Sequence, residues 1–105
     1  MTATTDVKAR LGEVKEKTAE ALRRCAADPQ TSVVTVAVAK EFDSKAAKAL
    51  REAEDPGAAR DAVIELEQAG DSAKAAAEAD PGLGMPGLQA VQDAHLAICI
   101  LKTEV

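Results

Sequence analysis

An all-α domain of four helices, connected up-down-up-down, is the fold class that the sequence predicts. Three observations carry the prediction. Asp-Pro occurs at Asp28-Pro29, Asp55-Pro56 and Asp80-Pro81, so that successive prolines stand 27 and 25 residues apart. Alanine, the best helix former, supplies 24 of the 105 residues, while Trp and Tyr are absent and Phe42 is the only aromatic. Finally, Val7, Leu11, Val14, Thr18, Ala21 and Cys25 alternate spacings of four and three, the seam of a helix packed on others at a shallow angle.

The Asp-Pro pairs set the element boundaries. An Asp accepts hydrogen bonds from the free amides of a first helical turn, and Pro at the first helical position gives up an amide that has no partner there. The residue before Pro is pushed out of α geometry, so each pair also ends the preceding segment. Helices over 5–27, 29–54, 56–79 and 86–104 follow, in one domain spanning 1–105. Beyond the Asp-Pro punctuation the sequence shows no residue-by-residue repeat.

Helix one carries three acid-before-base pairs four apart, Asp6 with Arg10, Glu13 with Lys17 and Glu20 with Arg24, the favourable orientation along a helix. Helix two holds an ambiguity. VVTVAVA at 33–39 contains five β-branched residues in seven, and LAICIL at 96–101 is similarly apolar, so an α+β domain with short strands near 33–39 and 96–101 is the alternative fold. The run from Val38 to Asp55 favours helix, because it offers no turn residue and places Val38, Phe42, Ala46, Leu50 and Ala53 on one stripe. In helix three the stripe is Ala59, Val63, Leu66, Gly70, Ala73 and Ala77. Glycine inside a helix costs about 1 kcal/mol relative to Ala, so Gly70 marks either a break or a close approach of another element.

The third connection, DPGLGMPG at 80–87, is richer in Gly and Pro and places Leu83 and Met85 between them. Two roles fit it: a recognition loop presenting both apolar residues, or a crossover with both tucked inward, the favoured reading. GLGMPG lacks the Lys-Ser/Thr of a phosphate-binding loop.

The formal charge of −5 and the single aromatic argue against nucleic acid, which needs clustered cations and stacking surfaces. Residues 1–27 are net basic and 56–80 net acidic, and these faces are expected to attract where segments pack. No apolar run approaches a membrane span and MTATTDVKAR lacks the apolar stretch of a secretory signal, which makes a cytoplasmic location the expectation.

His95 and Cys99 stand four apart, on one face of helix four, a spacing able to place two ligands on one metal ion. They are the candidate metal residues; the competing reading is a core cysteine beside a partly solvated histidine. With one His in the chain, the nucleophile–base–orienter sets of hydrolytic enzymes have little to draw on. Carboxylate pairs such as Asp61 and Glu65 lie on a polar flank, without the burial that raises a pKa. Thr103 and Val105 resemble the short tails that PDZ domains capture, which makes Val105 a candidate contact residue with Leu83 and Met85. The expectation is therefore a non-catalytic bundle without a cofactor, working through contacts with another protein or with itself as a homo-oligomer. A small-ligand or metal-binding bundle using His95 and Cys99 is the alternative.

Overall fold

A computed structural model describes residues 4–105, with side chains from Asp6 onward. Four helices follow one another: α1 (Thr4–Ala27), α2 (Val33–Arg51), α3 (Pro56–Ala79) and α4 (Met85–Lys102). Each packs on the next and α4 returns to α1, leaving α1 and α3, and α2 and α4, diagonally opposed. Connections of a few residues reverse the chain each time, so the bundle is up-down-up-down, 41 Å long and 18 × 17 Å across. The strand alternative is set aside, because 33–39 and 96–101 both lie within helices. β-Branched side chains lower helix propensity only slightly, and tertiary packing outweighs that.

The α1 and α3 stripes are buried at every position named from sequence. In α2 the buried set is Thr35, Ala39, Phe42, Ala46 and Ala49, with Val38 and Leu50 half-buried beside it. Size decides this rotation: alanines at 39, 46 and 49 bring α2 close to its neighbours, and the bulkier Val38 and Leu50 fit at the flanks. α3 is continuous through Gly70, where the structure selects close approach over a break. A Cβ at position 70 would stand 3.0 Å from Phe42 Cζ and 3.1 Å from Cε1. The one aromatic ring of the core thus lies where α3 has no side chain.

A repeat that residue identities conceal appears in the packing. α1 and α3 begin at 4 and 56, and α2 and α4 at 33 and 85, each 52 residues apart. Buried positions 7, 11, 14, 18, 21 and 25 recur at 59, 63, 66, 70, 73 and 77, and 35, 39, 42, 46 and 49 recur at 87, 91, 94, 98 and 101. The chain is two helical hairpins with one burial plan, and bulk is exchanged between them. Phe42 and Thr18 in the first hairpin stand where Ala94 and Gly70 stand in the second.

Two of the three Asp-Pro pairs do something other than start a helix. Asp55 caps α3 as expected, accepting from the Gly57 and Ala58 amides at 3.1 and 3.3 Å. Asp28 instead accepts from the Gln30 amide in its own turn and, 56 residues away, from the Gly84 amide, both at 2.9 Å. α2 consequently starts at Val33, four residues later than the sequence suggests, under a Ser32 cap. Asp80 mirrors this arrangement. It accepts from the Gly82 amide at 2.9 Å and, across the bundle end, from the Ser32 amide at 2.9 Å and the Thr35 hydroxyl at 2.7 Å. Each aspartate therefore closes its own turn and ties down the start of the other hairpin's second helix.

Candidate functional site

On α4, His95 lies over α3: its Nε2 is 2.8 Å from Asp71 Oδ1, and its Cδ2 would be 3.5 Å from a Cβ at Gly70. Its counterpart in the first hairpin is Asp43, which accepts from Thr18 Oγ1 at 2.8 Å and pairs with Lys15 at 3.0 Å. Both positions thus carry a polar bridge between the two helices of one hairpin.

The structure brings His95 and Cys99 together, with Cys99 Sγ 3.6 Å from Nε2 and 3.8 Å from Nδ1. Near-equal distances to both nitrogens place the sulfur off either lone-pair direction, since a thiol bonded in the ring plane to one would stand well away from the other. Burial pushes the Cys99 thiol up, and the charges of Glu67 and Asp71 add to the effect. Such a thiol stays protonated, the poor form for a nucleophile or a metal ligand. Cys25 is buried beside Gly87 at the other end of α4, its thiol likewise raised by burial and then by Asp28 and Asp80. Among the described residues no three His, Cys, Asp or Glu side chains converge as a metal-binding group.

The three apolar contact candidates separate. Leu83 turns inward, filling the space beneath the 80–84 connection where a Cβ on Gly87 would lie 2.7 Å from Leu83 Cδ1. Met85 points out from the first turn of α4, 68 % exposed, so the expectation that both residues tuck inward holds for Leu83 alone. Val105 follows the end of α4 and is 38 % exposed.

Sequence reasoning missed the outer face of α4. Leu96 is 59 % and Ile100 47 % exposed, and with Met85 they follow the solvent side of the helix among Gln89, Gln92 and Thr103. Asp93, at the α1 edge, is the only acidic residue in α4, and Lys102 turns to Glu67 of α3 at 2.7 Å. The signal was the LAICIL run itself: with Ile98 and Leu101 assigned to the core, Leu96 and Ile100 remain on the outside. The positions of α2 equivalent to 92, 93, 96, 100 and 103 carry Lys40, Glu41, Ser44, Lys48 and Arg51, while Met85 corresponds to Val33, which is itself 84 % exposed. Helix geometry at these positions is thus compatible with charge, and the apolar character of α4 is not a requirement of the fold.

The opposite charges of α1 and α3 do not meet within the chain, because these helices are diagonal. Interhelical pairs form between neighbours instead: Glu65 of α3 with Lys45 and Lys48 of α2, each at 3.1 Å, and Lys102 with Glu67. Arg10 turns from Asp6 to Glu104, while Glu20 pairs with Arg24 and also with Arg23. No helix among the described residues is long and apolar enough to cross a membrane. The chain matches no family model, no curated protein and no solved structure.

Proposed function

We propose that this chain is a protein-contact module of the cytoplasm, an adaptor, regulator or self-associating subunit, without catalysis of its own. The observation that supports this most is the outer face of α4, where Leu96 and Ile100 are exposed one turn apart and the matching positions of α2 carry Ser44 and Lys48. A grouped apolar face on a small domain characteristically marks an interaction site. The polar groups best placed for chemistry have structural partners: Asp28 and Asp80 hold the two connections together, Asp43 bridges α1 and α2, and His95 commits Nε2 to Asp71. A metal site at His95 and Cys99 is the weaker reading, for the same reason and because the thiol is protonated.

Sedimentation over a wide concentration range, with affinity capture from the native cell, tests the reading. A self-complex or a captured protein that is lost in the Leu96→Lys, Ile100→Lys variant is expected. A strict monomer with no partner dependent on these residues refutes it.

A further inference from the structure

We infer that the two hairpins are unlike halves that accept each other and reject their own kind, and that the chain has a second assembled state, a dimer in which two copies exchange second hairpins about the 52–55 connection. The surfaces concerned are the inner ones, so this state goes beyond the α4 contact reading and does not depend on it. Side-chain size makes the halves unlike. α2 and α4 stand diagonally across the core, and at each of five equivalent buried positions one carries a small residue and the other a larger one. Thr35 and Phe42 of α2 correspond to Gly87 and Ala94 of α4. In the opposite sense, Ala39, Ala46 and Ala49 of α2 correspond to Val91, Ile98 and Leu101.

Two first hairpins brought together would set each Phe42 against Thr18, the counterpart of Gly70, at a contact where a Cβ on Gly70 would already stand 3.0 Å from Phe42 Cζ. They would also put alanines in the layers that Val91, Ile98 and Leu101 fill. Two second hairpins would crowd those same layers and leave a void where Ala94 met Gly70. Overpacking and cavities both cost stability in a close-packed core, so first with second is the combination selected.

Nothing in that selection requires both halves to belong to one copy. Besides the chain itself at 52–55, the halves are held by α2 on α3, by α1 on α4, by the Asp28–Gly84 and Asp80–Ser32 ties and by the Lys45–Glu65 pair, all of which a second copy supplies equally. The connection is not fixed by turn chemistry either. It contains no glycine, none of its residues has a positive φ, and Glu52-Ala53-Glu54 are helix formers. An opened hairpin exposes its whole buried stripe and must close on a complement, its own or a neighbour's; exchange about a short hinge is a low-cost route between the two. A short connection holds the chain's own second hairpin at an effective concentration of about 1 mM or somewhat more, which sets the scale on which exchange competes.

Refolding from urea at about 1 µM should return monomer, and refolding at roughly 300 µM should add a dimer fraction of about a tenth or more, read by sedimentation. Deleting residues 52–54 leaves at most about 7.6 Å between the Cα atoms of Arg51 and Pro56, against about 8–10 Å between the axes of packed helices. The chain's own second hairpin is then out of reach, and this variant should be dimeric down to about 1 µM with the far-UV circular dichroism of the wild type. A crosslink reads the pairing. In a Cys25→Ala, Cys99→Ala background, copies of the deletion variant carrying only Lys45→Cys are refolded with copies carrying only Glu65→Cys or only Glu13→Cys. A short bismaleimide should join position 45 to position 65 and not to position 13, which takes the place of 65 in a pair of first hairpins. Leu96→Lys should leave the dimer as it is. A wild type without dimer at roughly 300 µM, a deletion variant that is unfolded or a folded monomer, or joining of 45 to 13 overturns the inference. A dimer lost with Leu96→Lys overturns it too, while the α4 contact reading stands.

Discussion

The packing of Phe42 over Gly70 yields a thermodynamic cycle whose outcome changes sign with background. Truncating a fully buried Phe to Ala costs about 3–5 kcal/mol, a large share of the roughly 5–15 kcal/mol typical of a domain of this size. Gly70→Ala on its own combines two opposed terms. Helix propensity returns about 1 kcal/mol, but the new methyl would lie 3.0 Å from Phe42 Cζ, closer than ordinary contact. Crowding in a well-packed core costs about 1–3 kcal/mol, and Phe42 is wholly buried with little freedom to retreat. The net expectation is a loss of about 0–2 kcal/mol. With Phe42→Ala already in place the obstruction is gone. The same Gly70→Ala change then keeps its propensity gain and buries a methyl in the cavity, restoring about 1.5–2 kcal/mol. The coupling between the two sites is therefore about 1.5–4 kcal/mol, well above the error of additivity. Urea unfolding followed by far-UV circular dichroism measures all four corners, since the chain has no Trp or Tyr for fluorescence. An equal effect of Gly70→Ala in both backgrounds, to within about 0.5 kcal/mol, refutes the close-approach explanation of this glycine.

Three further outcomes follow from the same geometry. In Gly82→Ala the new Cβ would collide with the Gln30 carbonyl oxygen, a backbone atom unable to swing aside; separating the two connections should cost about 2–3 kcal/mol in urea unfolding, and a change below about 0.5 kcal/mol would refute the joint. Thr18→Val removes a buried hydroxyl that donates to Asp43 at 2.8 Å and should cost about 1 kcal/mol by the same assay. The Asp80 carboxyl is held below its ordinary value by the Ser32 amide and then by the Thr35 hydroxyl. Its contribution is thus fully present above the unfolded-state pKa of about 3.9 and is lost as pH falls through the lower folded-state value. Asp80→Asn should accordingly flatten the loss of stability between about pH 4 and pH 2, and an unchanged acid limb would remove Asp80 from the account.

How much of this was legible in the sequence depended on whether the deciding contact was local. The α1 and α3 stripes were readable position by position, because a seam spaced four and three admits one buried face. Asp55-Pro56 was readable too, since its acceptors bind amides two and three residues on. Asp28-Pro29 has the same dipeptide, but its carboxylate is engaged by Gly84, so the helix start moves to Ser32 for a reason lying on the far hairpin. The stripe of α2 was read correctly at Phe42, Ala46 and Ala53 but placed Val38 and Leu50 at the centre where they are half-buried flanks, because hydropathy ranks them above Ala39 and Ala49 whereas interhelical distance selects the smaller residues. Gly70 announced a special position; only the Phe42 ring decides that it is a contact and not a break. Of the site, His95 and Cys99 were placed correctly on one face, while the sulfur's position off both ring lone pairs and its raised pKa required coordinates. Leu96 and Ile100 were hidden inside an apolar run that served two faces at once.

The two hairpins separate what the fold demands from what it leaves free. Wherever one burial plan is written twice, the common features report packing: twelve positions of α1 and α3 buried in register, and an aspartate at 28 and 80 performing the same cross-bundle tie. Differences inside the core compensate one another, as when Phe42 opposes Gly70 while Ala94 stands at the position equivalent to Phe42. Differences on the outside need no such compensation. Lys48 on α2 reaches Glu65 of α3, but its counterpart on α4 is Ile100, 47 % exposed beside Arg10 and Glu13 of α1. Because a lysine is accommodated at the equivalent site, packing supplies no reason for an isoleucine there. The same holds for Leu96 against Ser44, and two such replacements one turn apart on one helix form a seam that the bundle itself does not use.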